Sequence, residues 1–524
     1  MDPDPTPTPS PPKPDAASAP AAHALARGNL AQADTLAAEL LTSSPGNARA
    51  LMIRGVVARD SGRSAHAIDF LERAHAAAPA DAEILYHLAQ AHHQAPRGQG
   101  HAPARELYER AMALAPTSPF PPAMLAKLLE ETNELPDARA AADRALKLDA
   151  TNPTAQLVAA LLDRREGNLT GARERFMQLI YANDGRTLAR FPPAARAMIW
   201  NRHAHTLDAL GEHDAAFAAF EYAQTLRWSL PDAQRVDPSI IDTIIDRSLE
   251  ALTRDRLARW AQYTPADGRT DPAFLVGFPR SGTTLTEQIL AAHPSVVTLD
   301  EDSPLADLDP IIRETMPAGA SGDGLEALNK ADLERLREAY FAGAERRLGS
   351  PPGARTLIDK LPLSILDLPA ICRAFPRAKL IVAIRDPRDA CLSAVMRIMV
   401  PNPAMAHLRT LPKAADFYAR VMDLWLTARA RVRNPWIESR YEDLASDPEP
   451  AIRRLTEFLE LPWDDAVLSH HEHVRGKTIS TPSYEAVGGT ITTASVGRWH
   501  AHAQRIRPIV PTLAPFLEVL EYER

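Results

Sequence analysis

The stretch AFLVGFPRSGTTLTEQIL, residues 273–290, decides the fold of the C-terminal half. Its opening apolar run has strand length, and its closing TTLTEQIL has helical spacing, so a tight turn must join the two. Gly277 and Gly282 bracket that turn with the spacing G-x-x-x-x-G of a phosphate-binding loop. Backbone N–H groups at such a strand–loop–helix corner point at one anion, helped by the helix dipole. The lysine of a nucleotide-hydrolysing loop is replaced by Thr283, and the positive charge sits inside the turn at Arg280. A phosphoryl group in transfer carries several charges that call for lysine and Mg²⁺, whereas a sulfonate carries fewer. The loop therefore predicts binding of phosphate and transfer of a sulfuryl group, through Arg280, Ser281, Gly282, Thr283 and Thr284, without a metal.

Downstream, RTLIDK (355–360), KLIVAIR (379–385) and PWIESRY (435–441) are further short apolar or β-branched runs, separated by helical segments. That alternation predicts an α/β domain over 271–524 with a parallel sheet. Upstream, TPADGRTDP marks a boundary near 270, and 231–270 reads as connecting helices. From 21 to 230 the sequence is rich in Ala and Leu, with a helical apolar period and an internal repeat of 34 residues. A turn residue followed by a small residue carries the register: Gly28/Ala33, Gly62/Ala67, Asn133/Ala138 and Gly167/Ala172. Pro45 and Pro79, then Pro119 and Pro153, repeat the interval. Between Ala67 and Ala104 the step is 37, with three extra residues in APRGQGHA, and a sixth copy opens at Gly211 after a step of 44. Residues 1–20 hold eight prolines and almost no large apolar side chain, so they predict a disordered tail.

With 524 residues the chain has material for several domains, and no apolar run approaches the ~20 residues of a membrane span. The opening MDPDPTPTPS lacks the basic and apolar regions of a secretory signal, which predicts a cytoplasmic protein. A net charge of −8 gives no global attraction to nucleic acid. Cys372 and Cys391 are the only cysteines and are expected as buried free thiols.

The 34-residue unit resembles the tetratricopeptide repeat, an α-solenoid of paired helices whose surface takes up peptides or partner proteins. The loop PRSGTT resembles that of the sulfotransferase superfamily, and the whole is similar to bacterial proteins that join such repeats to a sulfotransferase domain, and to protein-tyrosine sulfotransferases. The resemblance implies a P-loop-like sulfotransferase domain whose donor is 3′-phosphoadenosine 5′-phosphosulfate (PAPS), with a hydroxyl acceptor. Tyrosine in a protein or peptide comes first. A sugar or lipid hydroxyl, or a repeat-bearing adaptor without activity, are the alternatives. It implies a 3′-phosphate site in KLIVAIRDPRDACLSAVMR, made of Arg385 at the strand end with Ser393 and Arg397 on the next helix.

Other roles follow from the same resemblance. HPSVVTLDED lies where tyrosine sulfotransferases carry HPEVRCGEET, which makes Glu301, 21 residues after Arg280, the base. Asp300 and Asp302 flank it. Lys360, 25 residues before Arg385, matches the lysine that meets the leaving oxygen. Tyr441 matches the adenine-side tyrosine. Counting back from Trp499, the lysine of the nucleotide-closing loop is replaced by Gly489, leaving Arg498, Lys477 or Arg475 to substitute and Ser483 as the loop's contact. The cluster His470, His471, Glu472 and His473 sits in DAVLSHHEHVRGK, which resembles a segment of those enzymes that binds no metal, so no metal is expected. The repeats would recruit the acceptor or assemble a homodimer.

Overall fold

The computed structural model describes residues 16–95, 100–315, 324–469 and 491–523. The chain divides into two compact units, Met1–Phe191 and Pro192–Arg524.

The first unit is five helix pairs: Ala19–Ala26 with Leu30–Ser43, Ala48–Asp60 with Ser64–Ala77, Ala82–His93 with His101–Leu114, Phe120–Glu131 with Leu135–Leu148, and Pro153–Arg165 with Leu169–Tyr181. The turn inside a pair needs one left-handed residue. Gly28 and Gly62 supply it at φ 74°, and Asn133 at φ 63° takes the same place in the fourth pair. The small residue of each copy, Ala33, Ala67, Ala104, Ala138 and Ala172, is wholly buried. Each is enclosed on all sides by its neighbours, which favours a small side chain and so alanine at the interval. Asn47 and Asn152 cap the second and fifth pairs by accepting from the amides of Ala50 and Ala155. This is the solenoid architecture expected of the repeats.

The second unit begins with a helix pair of the same signature, α1 (Pro193–Ala209) and α2 (His213–Trp228), turning at Gly211 with φ 80°. The repeat register assigns this pair to a domain ending at 230. Packing assigns it differently. Leu207, Phe217 and Phe220 share one apolar core with Phe274, Val276, Leu380 and Val382 of the sheet. The helices of 231–270 join them there, through Ile245, Leu257 and Trp260. They are a layer of the α/β unit rather than a connector.

The sheet has five parallel strands: β1 (Ala273–Gly277), β2 (Val296–Asp300), β3 (Thr356–Lys360), β4 (Lys379–Ile384) and β5 (Trp436–Arg440), in the order β2-β3-β1-β4-β5. Side chains alternate between two cores: Phe274 and Val276 face one, Ala273 and Leu275 the other, where Leu285 and Ile289 of the next helix, α3 (Thr283–Ala291), meet them. The chain leaves β1 toward β2 on one side and returns to β4 on the other. Ligands of open α/β sheets bind at the carboxyl ends of the strands at such a reversal. Cys372 and Cys391 are buried and free. No helix among the described residues is long and apolar enough to cross a membrane.

Candidate active site

Apart from Arg397 and Arg498, the described residues expected at the site sit at or just beyond a strand's carboxyl end or on the helix that follows. Gly277 ends β1 in direct contact with β4: a Cβ there would lie 2.6 Å from the carbonyl oxygen of Ala383. Gly282, at φ 96°, starts α3, and a Cβ would come within 2.7 Å of the Tyr441 ring. Both glycines are thus fixed by close approach as well as by conformation. Between them Arg280 adopts φ 72°, an uncommon left-handed value for a non-glycine residue. Ser281, Thr283 and Thr284 are buried where the loop opens into the helix.

The strand end of β4 brings Arg385 to this loop. Its guanidinium donates to the carbonyl of Arg280 at 3.2 Å and to that of Ser495, and stacks over the Tyr441 ring at 4.6 Å. Its Nε is buried with no hydrogen-bond partner among the described residues. Ser393 lies on α4 (Pro387–Val395) and accepts from Arg280 Nε at 3.2 Å. The two expected anion sites are therefore in contact. Arg397, expected on that helix, lies beyond its end at Val395. The helix stops because α1 and α2 take up its final carbonyls: Asn201 donates to Met396, and Gln224 donates to both Val395 and Arg397, each at 2.8 Å. Burial, then the like charges of Arg397 and Arg385, push Arg280 down to about 9. Three guanidiniums gather like charge here, and the orphaned buried Nε of Arg385 beside a cradle without Cβ fits a phosphate or sulfate oxygen.

A second cluster forms where β2 and β3 end. Lys360 is wholly buried, and its Nζ meets Glu301 Oε1 at 3.1 Å, Glu287 Oε2 at 3.3 Å and the carboxylate of Asp300. Burial works against the ammonium, but Glu287, Glu301 and Asp300 outweigh it and hold Lys360 above the ordinary lysine range. Glu301 has left-handed φ, 54°, and its N–H donates to the Lys360 carbonyl at 2.9 Å. The loop is pinned by Ser303, whose hydroxyl donates to buried Asp359 at 2.7 Å, and by Arg347, which meets Asp302 at 2.8 Å. Burial pushes Asp359 up to about 6. Asp302 thus faces Arg347, while Asp300 and Glu301 face Lys360.

Residues 495–502 run alongside Arg385. Asp389 accepts from the amides of Gly497 and Trp499, and Arg388 stacks over Trp499 at 3.9 Å. Arg498, a candidate for the closing cation, pairs instead with Asp208 of α1. Asp208 also receives His213 and His502, at 2.9 and 2.8 Å. These three bring ligand-type atoms within 4.8 Å of one another, but the arginine and both imidazoles already converge on the carboxylate. The geometry is a hydrogen-bonded tie between α1 and the C-terminal segment. Ser483, Gly489, Lys477, Arg475 and the cluster His470, His471, Glu472 and His473 lie outside the described residues.

Sequence reasoning missed four groups: Glu287, Asp208, Asn201 and Gln224. Glu287 carried one signal, a charge inside a helix otherwise buried on most sides. The other three look like ordinary polar positions of a helix pair.

Residues 272–465 match the family model described as "Sulfotransferase family". The chain is 29% identical over 294 residues to an uncharacterized protein of Aquifex aeolicus (strain VF5), covering 53% of this chain and 36% of that one. It is 30% identical over 206 residues to protein-tyrosine sulfotransferase 1 of Danio rerio, covering 39% and 57%. With protein-tyrosine sulfotransferase A of Caenorhabditis elegans the figures are 29% over 229 residues, covering 41% and 57%. The matched part thus spans about half the length of these relatives or less. Residues 272–465 thus resemble the sulfotransferase family, and helix pairs with a 34-residue repeat precede them in the chain.

Proposed function

We propose that the protein is a sulfotransferase that takes its sulfonate from PAPS and transfers it to a hydroxyl acceptor, tyrosine in a protein or peptide. The observation that carries this reading is the convergence of Arg280, Arg385 and Arg397 on a glycine-bounded strand–helix corner, beside a buried lysine paired with Glu301. In this reading Arg280, Ser281, Gly282, Thr283 and Thr284 hold the 5′ end of the donor. Arg385, Ser393 and Arg397 hold its 3′-phosphate. Tyr441, under Arg385, and Ser483 border the nucleotide. The donor supplies an activated sulfonate: an oxygen–sulfur bond forms to the acceptor as the bond to the phosphate oxygen breaks, and the electron pair stays with the phosphate.

Glu301 takes the hydroxyl proton as the acceptor attacks, and Lys360 meets the negative charge that grows on the leaving oxygen. Contact between the two at 3.1 Å suits this division of labour, because the proton acceptor and the charge-stabilising cation then stand side by side. Residues 272–465 resemble enzymes whose names specify protein tyrosine, and that similarity favours a tyrosine acceptor over a sugar or lipid hydroxyl. The helix pairs of the first unit would recruit that acceptor or join two copies of the chain, in a cytoplasmic protein. Incubation with ³⁵S-labelled PAPS and a tyrosine-containing peptide library tests the reading. Label on tyrosine oxygen supports it, label on glycan or lipid redirects the acceptor, and absence of both nucleotide binding and transfer overturns it.

A further inference from the structure

Among the described residues, Glu287 is the one carboxylate of the Lys360 cluster that lies away from solvent. It sits one turn into α3, 1% exposed, with Oε2 3.3 Å from Lys360 Nζ and Oε1 accepting the Thr298 hydroxyl at 3.0 Å. Asp300 and Glu301, at 27% and 36% side-chain exposure, approach the same ammonium from the open side. Three carboxylates around one buried cation cannot all ionise at little cost, least of all in a cleft that must also admit an anionic donor.

We propose that Glu287 is a positioning residue for Lys360, fixing Nζ from the buried side of the cleft and taking up a proton when nucleotide charge enters. The proposal rests on the reading of Lys360 as the group that meets the leaving oxygen. The division of labour follows from geometry. Glu301 must keep its carboxylate free for the acceptor, and Asp300 faces the open side, so the charge adjustment falls to the carboxyl that touches neither solvent nor acceptor. Burial pushes Glu287 up to about 7 against the pull of Lys360, with Asp300 adding to the rise and the Thr298 hydroxyl opposing it. The charged groups gathered about it are Lys360 from β3 and Asp300 and Glu301 from the end of β2. On proton uptake an O–H bond forms on Glu287 and the proton comes from buffer, leaving Lys360 as the ammonium.

The test is calorimetric titration of the full-length chain with adenosine 3′,5′-bisphosphate near pH 7, in buffers of different ionisation enthalpy, which counts protons exchanged on binding. The parent is expected to take up about half a proton more than Glu287→Gln. Thr298→Val removes a hydrogen bond to the ionised form, so it moves the pH of greatest uptake upward. In turnover, Glu287→Gln lowers kcat roughly tenfold with KM for the donor within about threefold, and Glu287→Asp recovers part of the loss. Equal uptake by the parent and Glu287→Gln overturns the proposal. If that variant does not fold, an uptake profile unchanged in Thr298→Val overturns it. A parent that binds no bisphosphate sinks the sulfotransferase reading and this inference together, whereas tight binding with unchanged uptake sinks the role of Glu287 alone.

Discussion

The two units hold themselves together by opposite means. In Met1–Phe191 each helix pair closes on its own small residue, and among the described residues a left-handed turn residue recurs in four of the five pairs, so a contact rarely reaches beyond the next repeat. In Pro192–Arg524 the decisive contacts join residues far apart in sequence: Gln224 with Arg397, Asn201 with Met396, Asp208 with His502, Lys360 with Glu287. The first arrangement tolerates insertion, as the extra residues between Ala67 and Ala104 attest. The second places several cations on one spot and depends on every layer around them. A helix pair with the same turn signature serves both, and its neighbours decide which role it plays.

The largest effect expected from breaking this contrast comes from where the chain is cut. A fragment 192–524 is expected to fold and bind adenosine 3′,5′-bisphosphate as the full chain does. A fragment 231–524 loses Phe217 and Phe220 from its core, each worth about 3–5 kcal/mol, and should unfold or fail to bind. Circular dichroism and calorimetry on both fragments check it. Equal behaviour would return α1 and α2 to the repeats.

Within the site, Glu301→Gln keeps shape and hydrogen bonding while removing the proton-accepting charge. Turnover should fall by roughly 10²–10⁴ with nucleotide affinity nearly unchanged. Arg385→Ala should do the reverse, weakening bisphosphate affinity roughly 10–100-fold through loss of charge-assisted bonds. Gln224→Leu leaves the carbonyls of Val395 and Arg397 without their donor and should cost about 1–3 kcal/mol of stability. It should weaken nucleotide binding less than Arg385→Ala, which thermal melts with and without ligand would separate.

The smallest effect is on pH dependence. Burial and the like charges of Arg397 and Arg385 make the Arg280 proton easier to lose than an ordinary arginine's. Bisphosphate affinity should therefore decline on the alkaline side, modestly, because a bound anion restores the proton. An affinity flat from about pH 8 to about pH 10 would mean that Arg280 keeps its charge throughout.

How much of this was legible follows from range. The PRSGTT corner and the 34-residue turns declare themselves locally, since a Cβ is excluded at Gly277 and Gly282 and a left-handed residue is needed at Gly28, Gly62 and Asn133. The strand ends bearing Lys360 and Arg385 were legible for the same reason. Glu287 was not, because its meaning lies in Lys360, 73 positions away. The true end of α4 was not, because the side chains that stop it come from α1 and α2. Local pattern also placed that pair with the repeats, and only the shared core with β1 and β4 shows where it packs.

The most direct test of the anion-cradle account is a competition on the intact protein between adenosine 3′,5′-bisphosphate without metal and ATP with Mg²⁺. The loop has Thr283 where a nucleotide-hydrolysing loop has lysine, and the proposed reading places Arg280, Arg385 and Arg397 around a 3′-phosphorylated nucleotide. The account predicts tight binding of the bisphosphate with no requirement for Mg²⁺, and weak binding of ATP. Tighter binding of ATP–Mg²⁺ would contradict it.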